Sequence, residues 1–326
     1  MPTNRGPSEH AVAVDLGGTT LVCAVVDRRC RVLHRSVAPS RAGASSQAGV
    51  AHLEECIRRL VEQAGLRPDE LAGLGVGVPG IVYPEEGVVH RATNLPHWRD
   101  VPLAARLRAA FGVPVCVGHD VDMAALAETE YGAGRGHRHV ACITLGTGVG
   151  VGLVLDGRLY RGARAGAGNL GDMVLAAGAE EPPASLESQV AGPALRRQAM
   201  AALRRGEPTS LRTACGGDAE RLDARLVFAA AREGDPPSLA LVRRAATLLG
   251  LGVANLVNLL SPEVVVVGGS MALAGDVLFD PLRQAAAAHV CPFLRDDLRI
   301  VPAQLGEDAG LVGAAHVVWQ AVGRPS

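Results

Sequence analysis

Short apolar runs alternate with longer amphipathic stretches along the whole chain. Two apolar runs within residues 11–27 are joined by a glycine turn and predict a β-hairpin, and RVLHRSVAP predicts a third strand. An amphipathic helix is predicted for residues 49–64, and the apolar strand LAGLGVGV follows it. The buried strand VPVCVG then leads into a helix predicted for residues 121–131. The alternation of strands and helices predicts an α/β fold.

The second half opens in the same way, because VACITLGTGVGVGLVLDGRLYRG again predicts strand, glycine turn and strand. This repeat indicates an internal duplication of one α/β unit. A typical domain has about 150 residues, so the length of 326 residues also suggests two domains. We expect a small α/β domain at residues 1–120, joined by a C-terminal helix at 308–322. Residues 121–307 then form a large α/β domain with the nucleotide site.

The composition is that of a globular protein, with 48% hydrophobic and 20% charged residues. The net charge is -1, from 32 basic and 33 acidic residues, so we expect no nucleic-acid and no anionic-membrane partner. All basic residues other than histidine are arginine, because the chain contains no lysine. A P-loop lysine, a protein-kinase strand lysine and a Schiff-base lysine are therefore excluded.

The seven cysteines are scattered and show no Cys-x-x-Cys spacing, which argues against a disulfide framework and a cysteine zinc site. This usage is typical of a reducing cytosol, so we expect a cytoplasmic protein. The start MPTNRGPSEH has no apolar core, and we expect no signal peptide. The uncharged stretch at 245–262 is interrupted by Asn255 and Asn258, which favours a buried helix over a membrane span.

The first glycine turn, DLGGTT, carries candidate phosphate-binding groups. Gly17 and Gly18 leave backbone N–H groups uncovered, and the following residues Thr19 and Thr20 add hydroxyl donors. Such a turn can hold phosphate oxygens without lysine. Asp15, at the end of the first strand, could hold Mg²⁺ through water. The alternative is an ordinary hairpin turn.

The second glycine turn, LGTGVG, offers the same chemistry through Gly146, Thr147 and Gly148. Two such turns, one in each half, suggest that the two sides of a cleft both face a bound polyphosphate. A third candidate is the pair Gly268 and Gly269 after the strand VVVV. A glycine pair that leaves a buried strand permits close approach of a base or ribose. A plain helix start is the alternative there.

The motif GHDVD places Asp120 where a buried strand passes into a helix, a usual position for functional groups in open α/β sheets. Asp120 could serve as a general base towards a substrate hydroxyl. It could instead only cap the helix.

These motifs, taken in order, resemble the ROK family of bacterial sugar kinases, which belongs to the actin-like ATPase clan. The resemblance covers nearly the whole chain, through DLGGTT, GVPG, ATNLPHWRDVPL, HDVDMAALAETEYGAGRG, LGTGVGVGLVLDGRLYRGA, ANLVNLLSPEVVVVGGS and the closing GAA. It implies two actin-like ATPase (RNase H-like) domains around a hinged cleft, with ATP in the larger domain and the sugar at the hinge.

The resemblance also implies roles for single residues. Asp120 would take the proton from a primary hydroxyl as that hydroxyl attacks the γ-phosphate of ATP, and Asn94 would bind sugar hydroxyls. Mg²⁺ would accompany ATP, and the chain would form a homodimer or homotetramer. Some members are repressors with an N-terminal winged helix. About ten residues precede the first strand here, too few for a DNA-reading module, so we expect a kinase.

The sequence leaves the pattern of the glucose-type members at the sugar site. His119 stands where they carry Asn, and Asn169 and Asp172 stand where they carry Glu and His in a Glu-x-Gly-His motif. GAEEPPASLES replaces their cysteine-rich zinc loop, and within it only Glu187 matches a sugar-contacting position. We therefore expect no structural zinc, because tetrahedral sites need thiolate and imidazole ligands.

A retained base beside altered sugar contacts suggests a different acceptor. The carboxylate of Asp172 would suit a ligand ammonium. We favour an amino sugar of secondary metabolism such as kanosamine, phosphorylated at its 6-hydroxyl. A C7-cyclitol 7-kinase and a glucokinase are alternatives, and a catalytically idle sugar-binding or regulatory protein is an alternative of another class. Asp172 could also only cap a turn or pair with Arg164.

Overall fold

A computed structural model describes residues 8–41, 43–176 and 184–323. The chain divides into two compact units. The first unit ends at Tyr131 and adds Leu159–Ala167 and the segment that begins at Glu307; the second contains Gly132–Arg158 and Gly168–Gly306. In this division the helix that follows residue 120 belongs to the first unit, as does Leu159–Ala167, and that helix packs against the C-terminal helix of the same unit. The predicted α/β fold is confirmed.

The first unit is built on a five-stranded sheet with the order β3-β2-β1-β4-β8. The strands β1, β2 and β3 pair antiparallel, and β4 and β8 continue the sheet in parallel to β1. A separate sheet is formed by β5, β6 and β7. The elements are β1 (His10–Leu16), β2 (Thr20–Asp27), β3 (Val32–Pro39), α1 (Ser46–Gln63), β4 (Leu71–Val78), β5 (Ile81–Tyr83), β6 (Val88–Arg91), β7 (Arg99–Val101), α2 (Leu103–Phe111), β8 (Val115–His119), α3 (Asp120–Tyr131) and α11 (Ala309–Val322).

The second five-stranded sheet has the order β11-β10-β9-β14-β15. It repeats the design of the first, since β9 and β10 form an antiparallel hairpin and β14 and β15 pair in parallel next to β9. The other elements of the chain are β9 (Val140–Leu145), β10 (Val149–Leu155), β11 (Arg158–Tyr160), β12 (Val174–Ala176), β13 (Ala184–Ser185), α4 (Leu186–Val190), α5 (Gly192–Arg204), α6 (Leu211–Ala214), α7 (Ala224–Arg232), α8 (Pro236–Leu260), β14 (Val264–Gly268), α9 (Asp276–His289), α10 (Pro292–Arg295) and β15 (Ile300–Pro302).

The C-terminal helix α11 joins the core of the first unit through glycines. A Cβ atom on Gly75 of β4 would lie 1.9 Å from the carbonyl oxygen of Ala314, and one on Gly313 would lie 1.8 Å from that of Met123. The backbone of α11 therefore contacts the backbones of β4 and α3 directly. Side chains at positions 75 and 313 would prevent this packing.

The helix α8 spans 25 residues and begins at a polar cap. The side chain of Asp235 accepts hydrogen bonds from Ser238 N (3.0 Å) and Ser238 Oγ (2.6 Å), and Pro236 occupies the first turn. By length and composition α8 is able to cross a membrane, but more than half of its most apolar window is buried. It packs on α7 and α9 in the second unit. The predicted buried helix at 245–262 is thus found as a core helix.

Candidate active site

The first glycine turn lies between β1 and β2 and is braced from two sides. Gly17 N donates to Thr20 O (2.8 Å), and the hydroxyl of Ser40 donates to Gly18 O (2.7 Å). A Cβ atom on Gly18 would lie 2.5 Å from Cβ of Asn94. The structure therefore brings Asn94, a predicted sugar contact, against the predicted phosphate turn. The hydroxyls of Thr19 and Thr20 lie 3.4 Å apart on the exposed side of the turn.

Asp15 precedes this turn, and its surroundings raise its pKa. Burial, and repulsion from the carboxylate of Asp120, raise the pKa of Asp15 to about 6, against a smaller opposing effect of Arg35. Gly310 at the start of α11 leaves room for the carboxylate, because a Cβ there would lie 3.3 Å from Asp15 Oδ2. Arg35 itself donates to Asp308 Oδ1 at 2.8 Å.

This environment suits a divalent cation. Two mutually repelling carboxylates, one of them with a raised pKa, are stabilised when a cation neutralises them. Within residues 8–41, 43–176 and 184–323, no group of three His, Cys, Asp or Glu side chains is arranged to hold a metal ion. Mg²⁺ typically binds through one or two carboxylates and keeps several waters and phosphate oxygens. Asp15 therefore fits the role of a water-mediated Mg²⁺ ligand.

Asp120 is the first residue of α3 and directly follows β8. Its side chain is 31% exposed. Its Oδ1 accepts a hydrogen bond from Val121 N (2.8 Å), and Nε2 of His119 lies 3.2 Å from the same oxygen. No hydrogen bond to its Oδ2 is found in the part of the chain that the structure describes. Asp120 thus presents one unengaged carboxylate oxygen at the amino end of a helix, where the helix dipole favours the anion.

Asp122, in the same motif, is buried and bound by an arginine that no sequence motif marks. Arg161 Nε donates to Asp122 Oδ2 at 3.1 Å. Burial raises the pKa of Asp122, while His119 and Arg161 act in the opposite direction. The two residues are 39 positions apart, so no local pattern in the sequence signals this pair.

In the second unit, the second glycine turn between β9 and β10 contacts the Gly268–Gly269 segment. Gly146 N donates to Gly148 O (3.0 Å). A Cβ on Gly269 would lie 2.3 Å from the carbonyl oxygen of Leu145, and the φ of Gly269 is +87°, which favours glycine. Two of the three predicted nucleotide segments therefore lie side by side, with Thr147 exposed on the turn.

Glu187 connects this turn to a neighbouring loop. It lies in the first turn of α4, and its Oε2 accepts a hydrogen bond from Val149 N at 2.8 Å. A Cβ on Gly148 would lie 2.7 Å from the same oxygen, and a Cβ on Gly171 would lie 3.1 Å from it. The carboxylate thus occupies space that two glycines leave open.

Gly171 belongs to a short 3-10 turn that carries Asn169 and Asp172 at its ends. Asp172 N donates to Asn169 O (3.2 Å), and both residues are exposed. Three predicted sugar-contacting positions, 169, 172 and 187, are therefore neighbours in the second unit. Residues 177–183, which hold most of the segment that replaces the zinc loop, lie outside the described residues.

Two further residues, which no sequence motif marks, hold the glycine turns in place. Ser40 holds the first turn through its hydroxyl and through its N–H, which donates to Thr19 O (3.0 Å). Gly192, at the start of α5, donates from its N–H to Gly146 O (2.8 Å). Both act over more than 20 positions of sequence, and neither stands in a motif that would have signalled it.

The chain is similar to known proteins over nearly its whole length. The model of the ROK family matches residues 11–321. A glucokinase of Thermotoga maritima is 31% identical over 97% of this chain and 99% of the relative.

Two solved structures are also similar. A ROK family glucokinase from Streptomyces griseus, in complex with glucose and AMPPNP, has a TM-score of 0.84 and 30% identity over 95% of this chain and 99% of its own. A ROK family transcriptional regulator, a homologue of the E. coli MLC protein, has a TM-score of 0.86 and 26% identity over 96% of this chain and 78% of its own. With its glycine turns, its helix-initial aspartate and a family match from residue 11 to 321, the chain belongs to the ROK family and has the two-domain actin-like ATPase fold.

Proposed function

We propose that the protein is an ATP-dependent sugar kinase that phosphorylates the primary 6-hydroxyl of a modified hexose. The observation that carries this proposal is the carboxylate of Asp120, which starts α3 and keeps Oδ2 without a hydrogen-bond partner among the described residues. The similarity to the glucokinases of Thermotoga maritima and Streptomyces griseus supports the same reaction class.

In the proposed reaction, the carboxylate of Asp120 takes the proton from the primary hydroxyl of the sugar. The hydroxyl oxygen forms a bond to the γ-phosphorus of ATP, and the bond from that phosphorus to the β–γ bridging oxygen breaks, so ADP leaves. The N–H of Val121 at the amino end of α3 donates to Oδ1, which leaves Oδ2 to accept the proton. A positioned base of this kind contributes about 10²–10⁴-fold to the rate.

The phosphates are assigned to backbone groups, because the chain has no lysine. The N–H groups of Gly18 and Gly148 have no hydrogen bond within the described residues and can donate to phosphate oxygens, whereas those of Gly17 and Gly146 already donate to Thr20 O and Gly148 O and shape the two turns. Mg²⁺, when bound near Asp15, supplies positive charge to the phosphate oxygens. Gly268 and Gly269 would face the base or ribose of the nucleotide.

For the acceptor we propose an amino sugar such as kanosamine, made in secondary metabolism. Asp172 is exposed, and no hydrogen bond or ion pair of its side chain is found within the described residues. A carboxylate in that position can bind an ammonium group of the ligand. Asn94, Asn169 and Glu187 would bind sugar hydroxyls. A C7-cyclitol and glucose are the alternative acceptors.

A second candidate is a regulatory protein that binds sugar without turning it over. The similarity to the ROK family transcriptional regulator favours it, because the TM-score with that regulator (0.86) is as high as the TM-score with the glucokinase (0.84). The half-exposed carboxylate of Asp120 favours the kinase instead, since a protein that only binds sugar needs no proton acceptor there.

The deciding experiment incubates purified protein with ATP, Mg²⁺ and a panel of glucose, kanosamine and C7-cyclitols, and measures ADP release and the position of the phosphate. Asp120→Asn should lose turnover by about 10²–10⁴-fold and still bind the acceptor. Full activity of this variant would refute the assignment of the base. Binding of sugar without turnover by the unaltered protein would support the regulatory candidate, and a highest kcat/KM for glucose would refute the argument from Asp172.

A further inference from the structure

We propose that the second unit carries a binding site for the phosphate group of a small phosphorylated molecule, away from the candidate active site. The site is a cavity of about 290 Å³ lined by three arginines, Arg283, Arg295 and Arg299. Its size is close to the lower end of the range of ligand sites in proteins, about 300–1,000 Å³. The proposal does not depend on the proposed kinase function.

Three separate elements of the second unit contribute the arginines. Arg283 lies on α9, Arg295 is the last residue of α10, and Arg299 directly precedes β15, the edge strand of the second five-stranded sheet. A guanidinium carries a permanent positive charge and five N–H donors in a planar arrangement that matches the oxygens of a phosphate group. Three guanidinium groups around one cavity therefore favour an anionic ligand.

Arg283 is held in place by the protein itself. Its Nε donates to Ile300 O (3.1 Å), and its guanidinium lies over the ring of Phe279, 5.1 Å from the ring centre. Oδ1 of Asp280 lies 3.8 Å from its Nη1, and an exposed pair at that distance neutralises little of the charge. Its Nη2 has no hydrogen bond among the described residues, so a preorganised donor remains for the ligand.

Arg295 and Arg299 keep their positive charge available. Both are exposed, and neither side chain has an ion pair or a hydrogen bond within the part of the chain that the structure describes. Asp296 and Asp297 follow Arg295 in the chain but do not line the cavity. Guanidinium groups that line one cavity repel each other, and a bound anion relieves this repulsion.

Apolar residues also line the cavity, among them Leu298, Ile300 and Val301. Ligand sites typically combine such apolar surface with a few charged groups that fix the orientation of the ligand. The arginines would therefore bind the phosphate group, and the apolar residues would contact the carbon part of a phosphate ester.

The cavity and the candidate nucleotide segment lie at opposite ends of β14. The carbonyl oxygen of Arg299 accepts a hydrogen bond from Val265 N (2.8 Å), which places the cavity near the amino end of this strand. Gly269, a predicted nucleotide contact, follows its carboxyl end. At about 3.3 Å per residue, the segment from Val265 to Gly269 spans about 13 Å. A ligand in the cavity would therefore leave the nucleotide segment free.

The test measures the binding of glucose 6-phosphate and of inorganic phosphate to the full chain by titration calorimetry. Saturating AMPPNP and Mg²⁺ are present, so that the γ-phosphate of AMPPNP occupies the place of a product phosphate. The double variant Arg295→Gln, Arg299→Gln should weaken the binding of both probes by about 10-fold or more, because it removes two charged donors. Arg243→Gln, Arg244→Gln is the matched control, because it removes the same charge from exposed positions of α8 outside the cavity. Its Kd values should stay within about twofold of those of the unaltered protein.

A crystal structure with glucose 6-phosphate gives a second readout, in which the phosphate group should contact the guanidinium groups of Arg295 and Arg299. Tighter binding of glucose 6-phosphate than of inorganic phosphate would support the site and assign the apolar residues to the carbon part. Equal binding would support it as a site for the phosphate group alone. Absence of binding by both probes, unchanged binding in the double variant, or an equal loss in the control variant would overturn the proposal. Failure of the unaltered protein to phosphorylate any acceptor would refute the kinase proposal and leave this test as it stands.

Discussion

The carboxylate of Glu187 accepts a 2.8 Å hydrogen bond from the backbone N–H of Val149, the residue that follows the second glycine turn. The same oxygen lies against Gly148 and Gly171, so one side chain contacts both the second glycine turn and the turn that carries Asn169 and Asp172. Its removal should therefore disturb ATP and sugar binding together.

We expect Glu187→Ala to raise the KM for ATP as well as the KM for the sugar, because Val149 N loses its acceptor and the turn loosens. Glu187→Gln keeps a carbonyl oxygen for Val149 N and should leave the KM for ATP within about threefold. The lost hydrogen bond should also cost about 1 kcal/mol of unfolding free energy in the alanine variant. Steady-state kinetics and thermal unfolding measure these effects. An unaltered KM for ATP in Glu187→Ala would show that the turn does not depend on this carboxylate.

Gly18→Ala should abolish most activity. The new Cβ would lie 2.5 Å from Cβ of Asn94, an atom next to the backbone that cannot move aside cheaply, so the turn or Asn94 must shift. Gly43→Ala is the matched control, because nothing lies within 4 Å of its added Cβ. Kinetic assays of both variants, with circular dichroism to verify folding, check this prediction. Equal activity of the two variants would contradict it.

Asp15→Asn should stabilise the metal-free protein above pH 6. The pKa of Asp15 is raised from 3.8 to about 6, so the folded state holds the proton more tightly than the unfolded state does. The contribution of Asp15 to stability is then fully present below pH 3.8 and is lost as pH rises through 6, by up to about 3 kcal/mol. Asparagine does not ionise, so this loss should be absent.

Thermal unfolding of both proteins from pH 4 to pH 8 measures this difference. We expect Tm values that converge near pH 4 and a higher Tm for Asp15→Asn at pH 8. Added Mg²⁺ should raise the Tm of the unaltered protein more than that of the variant. A lower Tm for Asp15→Asn at pH 8 without Mg²⁺ would disprove the raised pKa as the source of the effect.

Gly75→Ala should destabilise the first unit. The added Cβ would lie 1.9 Å from the carbonyl oxygen of Ala314, so α11 would have to leave β4. Overpacking of a core by one methyl group commonly costs about 1–3 kcal/mol, and a clash between two backbones should lie at the upper end. Chemical denaturation measures the loss, with Gly43→Ala again as the control. A cost below about 1 kcal/mol would mean that α11 docks less closely than found here.

The element boundaries show how local signals act. The first helix was predicted from residue 49, but α1 begins at Ser46 because the hydroxyl of Ser45 caps it and accepts from Ala48 N (3.3 Å). The helix predicted from residue 121 begins at Asp120 itself. Caps are single polar residues outside the apolar period, so a periodicity argument places helix ends only approximately.

The order of strands and helices, the two glycine turns and the absence of a lysine amine can be predicted from the sequence, because these depend on periodicity and on residue type. The sequence also marked Asp120, since a strand-to-helix junction is a local feature. The hydrogen bonds from Ser40 to Gly18, from Val149 to Glu187 and from Arg161 to Asp122 became visible only in the folded chain. These pairs are 22 to 39 positions apart, and such contacts form only when separate elements pack. No residue pattern within one element records which side chain of another will reach it.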